Sequence, residues 1–200
     1  MSRVNDAHTG DGRKRILQSA SALFAERGYR GVSISDVAEA ARLVKSSIYH
    51  HFENKQALYL AVLTEMSRQS REQMEAGAQG ATWRERLRGA TLVLGRLIGP
   101  RSQVFSLIIG GMTQIPADSE SKLVDMIAPL RREFAAVLTR EIANGVQAGE
   151  LRDIDPELGA ICLVGLVSAA LQSLVQSSEQ ARVNFALDLF LQGALHRENA

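Results

Sequence analysis

Cysteine is almost absent: Cys162 is the one thiol in 200 residues. That excludes an internal disulfide and any metal site built from several thiolates. Neither sign of charge is in excess, since the formal net charge is +1, so the total argues neither for nor against a polyanionic partner. Strand-period alternation of apolar and polar residues is missing, as is any internal repeat, which leaves helices as the expected elements. The N-terminus is polar, without the apolar core of a secretory signal, and a cytoplasmic location is the default expectation. No Gly-rich phosphate loop, metal-spaced His/Asp/Glu cluster or nucleophile motif is present, and Cys162 lies in an apolar run with no base nearby. The sequence therefore predicts no enzyme, no cofactor and no metal. One stretch, Leu158 to Ser178, lacks charge altogether. It meets the length rule for a membrane span, but Gln172, Ser173, Gln176, Ser177 and Ser178 crowd one end. A helix buried among other helices, or in a subunit interface, is expected instead.

What is present is enough apolar material, 46% of residues, to build one large domain or two small ones. Charge is unevenly spread. Residues 1–60 hold nine Lys/Arg against six Asp/Glu, a net +3, and the remainder is net −2. A mildly basic head on a mildly acidic body suits a protein that meets phosphates with one end.

Residues 1–12 are polar and weakly periodic and read as a loose tail, with Arg3, Arg13, Lys14 and Arg15 as a solvated charge cluster rather than a DNA arm. A first helix is expected over about 13–27, with Ile16, Ala20, Leu23 and Phe24 inward and Gly28 as its C′ residue. Ser33 and Asp36 form an S-x-x-D box that starts a second helix, with Val37, Ala38 and Ala41 on one face. In the next helix Val44, Ile48 and Phe52 recur every four residues and are expected to pin it to a core. Lys45, Ser46, Tyr49 and His50 then face outward, as two pairs four residues apart. A short helix anchored on one side, presenting a cation, hydroxyls, a phenol and an imidazole, is suited to a DNA major groove. The pattern is a helix-turn-helix.

Asn54 caps a fourth helix from Lys55 to about residue 76, with Leu58, Val62, Leu63 and Met66 buried. Gly77–Gly80 is the expected hinge between head and body. A fifth helix over about 81–98 carries Trp83, Leu87, Leu94 and Leu97, and Gly99–Pro100 stops it. A sixth, over about 102–113, is apolar from Val104 to Ile109. A long helix over about 119–148 is expected to bend at Pro129. Asp155–Pro156 opens the next helix, with proline at its first position, and a last one covers about 178–196. The fold class is all-α with about nine helices, divided into a helix-turn-helix domain over 13–60 and a larger body over 61–200.

The run from Glu26 to Leu63 resembles the DNA-binding head of the TetR (tetracycline-repressor) family. Its distinctive part is Tyr49, His51 and Phe52, followed by Asn54, Lys55 and Leu58. The resemblance implies a homodimeric regulator of a double-stranded DNA operator, released by a small-molecule effector, with no membrane partner. A repressor is the first reading and an activator with the same head the alternative. It also implies phosphate contacts from Ser33, Tyr49 and Lys55, and base-edge contacts from Lys45, Ser46, Ser47 and His50. His51 is expected to pack rather than to contact DNA. The chain departs from the family's A-G-V-S turn by reading Ala41-Arg42-Leu43-Val44. Arg42 takes a position that favours glycine, at about 1 kcal/mol, and recovers some of that by reaching a phosphate. Val44 removes a serine cap, a loss of about 1 kcal/mol unless Ser46 or Ser47 replaces it. The recognition helix is therefore expected to start late or to firm up only on DNA. Candidate effector-lining residues are Trp83, Leu87, Phe105, Ile109, Met112, Met126, Leu130 and Phe134, which favour a largely apolar ligand. Leu163, Leu166, Val167, Leu171, Leu174, Leu187, Phe190 and Leu191 are the candidates for a four-helix dimer interface.

Overall fold

The computed structural model describes residues 5–99, 102, 117–173 and 175–195, with backbone alone over 5–10 and 117–127. Among the described residues eight helices run in order: α1 Asn5–Arg27, α2 Ile34–Ala40, α3 Lys45–His51, α4 Lys55–Gly77, α5 Trp83–Leu97, α6 Ala117–Gln147, α7 Pro156–Gln172 and α8 Glu179–Ala194. Among the described residues the nearest thing to a strand is an isolated antiparallel bridge between Leu151 and Leu195. The helix expected over 102–113 lies outside the described residues, apart from Ser102. α1 starts at Asn5 rather than near Arg13. Residues 5–12 carry no apolar stripe, so periodicity had nothing to register there, although helix propagates readily once a nucleus exists.

The chain divides into two compact units, Met1–Met66 with Gln103–Ala128, and Ser67–Ser102 with Pro129–Ala200. In the first, Ile16, Ala20, Val37, Ile48 and Leu58 are fully excluded from solvent. Phe24 meets the buried Tyr59 edge-on at 5.0 Å, and Tyr29 covers Tyr59 at 4.9 Å. Burial, then the neighbouring Tyr29, pushes the Tyr59 hydroxyl up to about 12. Gly28 adopts φ 69 at the end of α1, which its missing side chain permits.

In the second unit α5, α7 and α8 pack on one another, with Leu87, Leu94, Leu138, Ile142, Leu163 and Val167 fully buried. α5 is started by a capping box in which Thr82 Oγ accepts from Glu85 N–H and Glu85 accepts from the Thr82 and Ala81 N–H groups. This T-x-x-E signal sits in the sequence and places the helix start at Trp83, slightly later than periodicity did. Asp155 caps α7, its Oδ1 accepting from Leu158 N–H at 2.8 Å, with Pro156 at the first helical position. α6 continues through Pro129. No helix among the described residues is long and apolar enough to cross a membrane.

Leu138 has 0% exposure at the middle of this second core. Leu138→Ala is expected to lower unfolding stability by about 2–5 kcal/mol, since the vacated volume cannot refill fully; urea denaturation of both proteins measures it.

Candidate nucleic-acid interface

The interface is built on α3, seven residues long, which is far too short to persist alone. It is held by Ile48 at 0% exposure, and by Phe52, its C-terminal cap, which is also buried. With that side fixed, Lys45, Ser46, Tyr49 and His50 are exposed and Ser47 half-buried. Val44 does not belong to the buried stripe: it is 66% exposed. It is the N-cap, with φ −87 and ψ 155, so its extended backbone takes its side chain off the helical face that Ile48 and Phe52 share.

Two neighbouring helix starts flank α3. At α2, Ser33 N–H donates to Asp36 Oδ2 at 2.6 Å and Ser33 Oγ accepts from Asp36 N–H at 3.2 Å. These bonds, with help from Arg27 and Lys55, hold the Asp36 carboxyl below its ordinary range. At α4, Asn54 Oδ1 accepts from Ala57 N–H at 2.8 Å, and Lys55 Nζ lies 4.3 Å from the centre of the Tyr29 ring. Partial burial lowers the Lys55 ammonium and the nearby Asp36 charge partly opposes that. Lys55 is therefore seated on an aromatic face rather than waving in solvent, which lessens the entropy lost when it meets a phosphate. That Tyr29 seats a cation depends on a contact between the turn after α1 and the start of α4, 26 positions apart in the chain.

Between α2 and α3 the turn is a Schellman motif. Arg42 N–H donates to Glu39 O at 3.0 Å and Leu43 N–H to Ala38 O at 2.8 Å, with Arg42 at φ 55. It is the one positive-φ non-glycine among the described residues. Glycine normally takes this C′ position because a Cβ is strained there. The missing cap is also observed: Val44 makes no side-chain hydrogen bond, and neither Ser46 nor Ser47 supplies one. Even so, α3 begins at Lys45, directly after Val44. A late start is corrected by this: Ser47 N–H finds Val44 O at 3.0 Å, and Ile48 and Phe52 fix the helix from below.

His51 is the half-buried member of the histidine pair, with its ring 5.2 Å from that of His50. A Cβ added at Gly12 would lie 3.6 Å from His51 Nε2, so α1 reaches the recognition helix here. Arg13 rests over the Phe52 ring at 5.5 Å. Burial, then His50 and Arg13, depresses the His51 pKa.

In the second unit Trp83, Leu87 and Phe134 are buried and Leu130 is half-buried. Phe105, Ile109 and Met112 lie outside the described residues, as does the Met126 side chain. The Trp83 indole N–H makes no hydrogen bond of good geometry. It still acts electrostatically on Glu150, whose carboxyl is held low first by that N–H and then by Arg84. The candidate dimer residues need correcting. Leu163, Val167, Leu171, Leu187, Phe190 and Leu191 are buried within a single chain, and Leu166 is half-buried; Leu174 lies outside the described residues. α7 and α8 pack on each other and on α5, and that packing consumes the apolar stripe read from the sequence.

Two family models match the chain: "Bacterial regulatory proteins, tetR family" over residues 16–62 and "Tetracyclin repressor-like, C-terminal domain" over 80–172. The chain belongs to the TetR family. It is a transcriptional regulator and not an enzyme, as its relatives are. A fatty acid metabolism regulator protein of Bacillus subtilis is 26% identical over 90% of this chain and 93% of its own. An HTH-type transcriptional repressor of Mycobacterium tuberculosis is 28% identical over 94% and 96%. The structure of FadR from Bacillus subtilis in complex with stearoyl-CoA shares the fold, with TM-score 0.74, 23% identity and coverage of 92% and 99%.

Two outcomes are expected from this TetR-family head. Arg42→Gly and Val44→Ser should each raise its stability by up to ~1 kcal/mol, by removing left-handed strain and restoring a cap; urea titrations read the gain. Because the His51 pKa is lower in the folded protein, stability is complete above the unfolded histidine value of about 6.5 and falls as pH drops from there towards the lowered folded value. His51→Gln should flatten that loss in melting scans between pH 7.5 and 5.

Proposed function

We propose that the chain is a ligand-responsive repressor that binds a palindromic operator as a homodimer. The observation that carries this is the set of groups around α3: a helix anchored by buried Ile48 and Phe52, with Lys45, Ser46, Tyr49 and His50 exposed. Ser33, Tyr49 and Lys55 are assigned to phosphates, and Arg42 with them. Their donors set the position of the head along the duplex. Lys45, Ser46, Ser47 and His50 are assigned to base edges, where Lys45 can donate to guanine O6 or N7. The head is placed at 13–60 and the effector-binding and pairing body at 61–200.

Pairing is assigned to the outer face of α7 and α8 rather than to the inner one. Leu158 is 60% exposed and Ile161 47%, and Gly165 and Ala169 continue that line. Phe185 at 65% and Leu189 at 48% do the same on α8. A second copy of this chain presents the same two stripes, and its α7 and α8 would complete a four-helix bundle. Nothing obstructs a Cβ at Gly165 or Gly193, so both leave room for a close neighbour. The effector is assigned to the body as a largely apolar molecule, sensed if it binds the non-DNA form more tightly. An acyl chain is the class to test first, given a relative named for fatty acid metabolism and a fold neighbour solved with stearoyl-CoA.

Fluorescence anisotropy with flanking intergenic DNA across a salt series, with footprinting, tests the reading. Tight, salt-sensitive binding over a palindrome is expected, weakened by stearoyl-CoA. Lys55→Ala should lower the salt slope by about one, whereas Tyr49→Phe, which removes a neutral donor, should weaken binding at an unchanged slope. Phe185→Glu should give a monomer by light scattering and abolish protection of the palindrome. A folded dimer without salt-sensitive binding would refute the proposal.

A further inference from the structure

Val44 serves neither the core of the head nor the DNA contacts proposed above. Among the described residues of the first unit, the exposed large apolar side chains are Val44 at 66% and Tyr49 at 55%. Tyr49 has a hydroxyl to offer, whereas the Val44 side chain has no polar atom. A single exposed valine is ordinary on a protein surface; the place of this one gives it weight. It is the N-cap of α3, where serine, threonine, asparagine or aspartate would accept a backbone N–H, and no side chain makes that bond here. The turn before it is strained as well, with Arg42 at φ 55. Two local rules are thus broken within three residues, beside the helix that carries the outward chemistry. Departures of that kind collect where function requires them.

The surroundings of Val44 indicate what it meets. With φ −87 and ψ 155 it stands outside the helical register, and its side chain leaves the face that Ile48 and Phe52 bury. Branching at Cβ restricts its rotamers, so the isopropyl group loses little freedom on contact. Its neighbours Arg42, Lys45 and Ser46 are all exposed. Cations and hydroxyls meet phosphates and the polar edges of bases. An apolar group set among them has a different counterpart: in the major groove, thymine alone of the four bases presents an apolar substituent, its C5-methyl group.

We infer that Val44 is a specificity-determining residue, whose isopropyl group packs on the C5-methyl of a thymine in the operator half-site. This rests on the DNA-binding reading above and adds to it a preferred base, recognised by apolar contact rather than by hydrogen bonding. The contact belongs to the side chain and not to the N–H groups that open α3. A capping serine at this position would present a hydroxyl and lose the methyl contact. The head thus gives up helix stability at residue 44 for base discrimination.

The test uses the full-length protein and the duplex that footprinting of the flanking intergenic DNA defines. Each thymine is replaced in turn by uracil, which pairs identically and lacks only the methyl group. With wild-type protein, at least one thymine of the half-site should respond, affinity falling by about three- to tenfold. Val44→Ala should no longer distinguish thymine from uracil at that position, while its responses elsewhere and its salt slope stay as in the wild type. Val44→Ser should lose the same discrimination although it melts higher than the wild type, which separates base reading from folding. A half-site in which no thymine responds would overturn the inference. So would responses that persist undiminished at every thymine in both variants. Wild-type protein that binds no such duplex would remove the DNA-binding reading together with this role. Wild-type protein that binds the palindrome tightly, yet is indifferent to every methyl group, would remove this role alone.

Discussion

A seven-residue helix has no stability of its own, and the use of this molecule turns on one such helix. In the first unit α1 and α2 hold α3 in place. Ile48 and Phe52 anchor it, α1 and α2 pack around that anchor, and the turn before it closes through two backbone hydrogen bonds although neither end residue favours the geometry. Arg42 in a left-handed conformation and Val44 without a capping oxygen are local defects that the packing beneath absorbs. Such a helix is rigid in the complete head and would be lost outside it. A recognition element placed by tertiary contacts keeps its outward face free for Lys45, Ser46, Tyr49 and His50, all of which are exposed.

The second unit solves a different problem. Its apolar core is ordinary, built from leucines at helical spacing, but Glu141 brings a full charge into it. An ionised carboxylate so placed is tolerable only with donors in good geometry, and here they are Arg86 of α5 and Arg140 and Asn144 of α6. The arrangement gains little net stability over an apolar core of equal volume, but it strongly specifies how α4, α5 and α6 meet. The glycine pair at 77 and 89 adds a steric requirement to the electrostatic one.

Much of this was legible in the residues. The Ser33–Asp36 box, the glycine ending α1, the Asp155–Pro156 start of α7 and the outward set on α3 all follow from short-range rules of capping and periodicity. Those rules act over a turn or two of helix, and there the structure agrees with them. They failed where a residue left the helix or where partners came from elsewhere. Val44 fits the spacing of the buried stripe but stands in extended backbone. Leu163, Val167, Leu187 and Phe190 fit a dimer seam but are taken up by their own chain. Periodicity identifies the apolar face of a helix without saying whether the same chain or another covers it.

The sequence by itself thus determined an all-helical chain, the family, the helix-turn-helix and its outward chemistry, because each depends on spacing within a few consecutive turns. Only the tertiary structure decided the seating of Lys55 on Tyr29, the meeting of Glu75, Arg86, Arg140 and Glu141, and which side of α7 and α8 stays exposed. Those are contacts between residues far apart in the chain, and their partners are chosen by how helices pack rather than by any pattern along one of them.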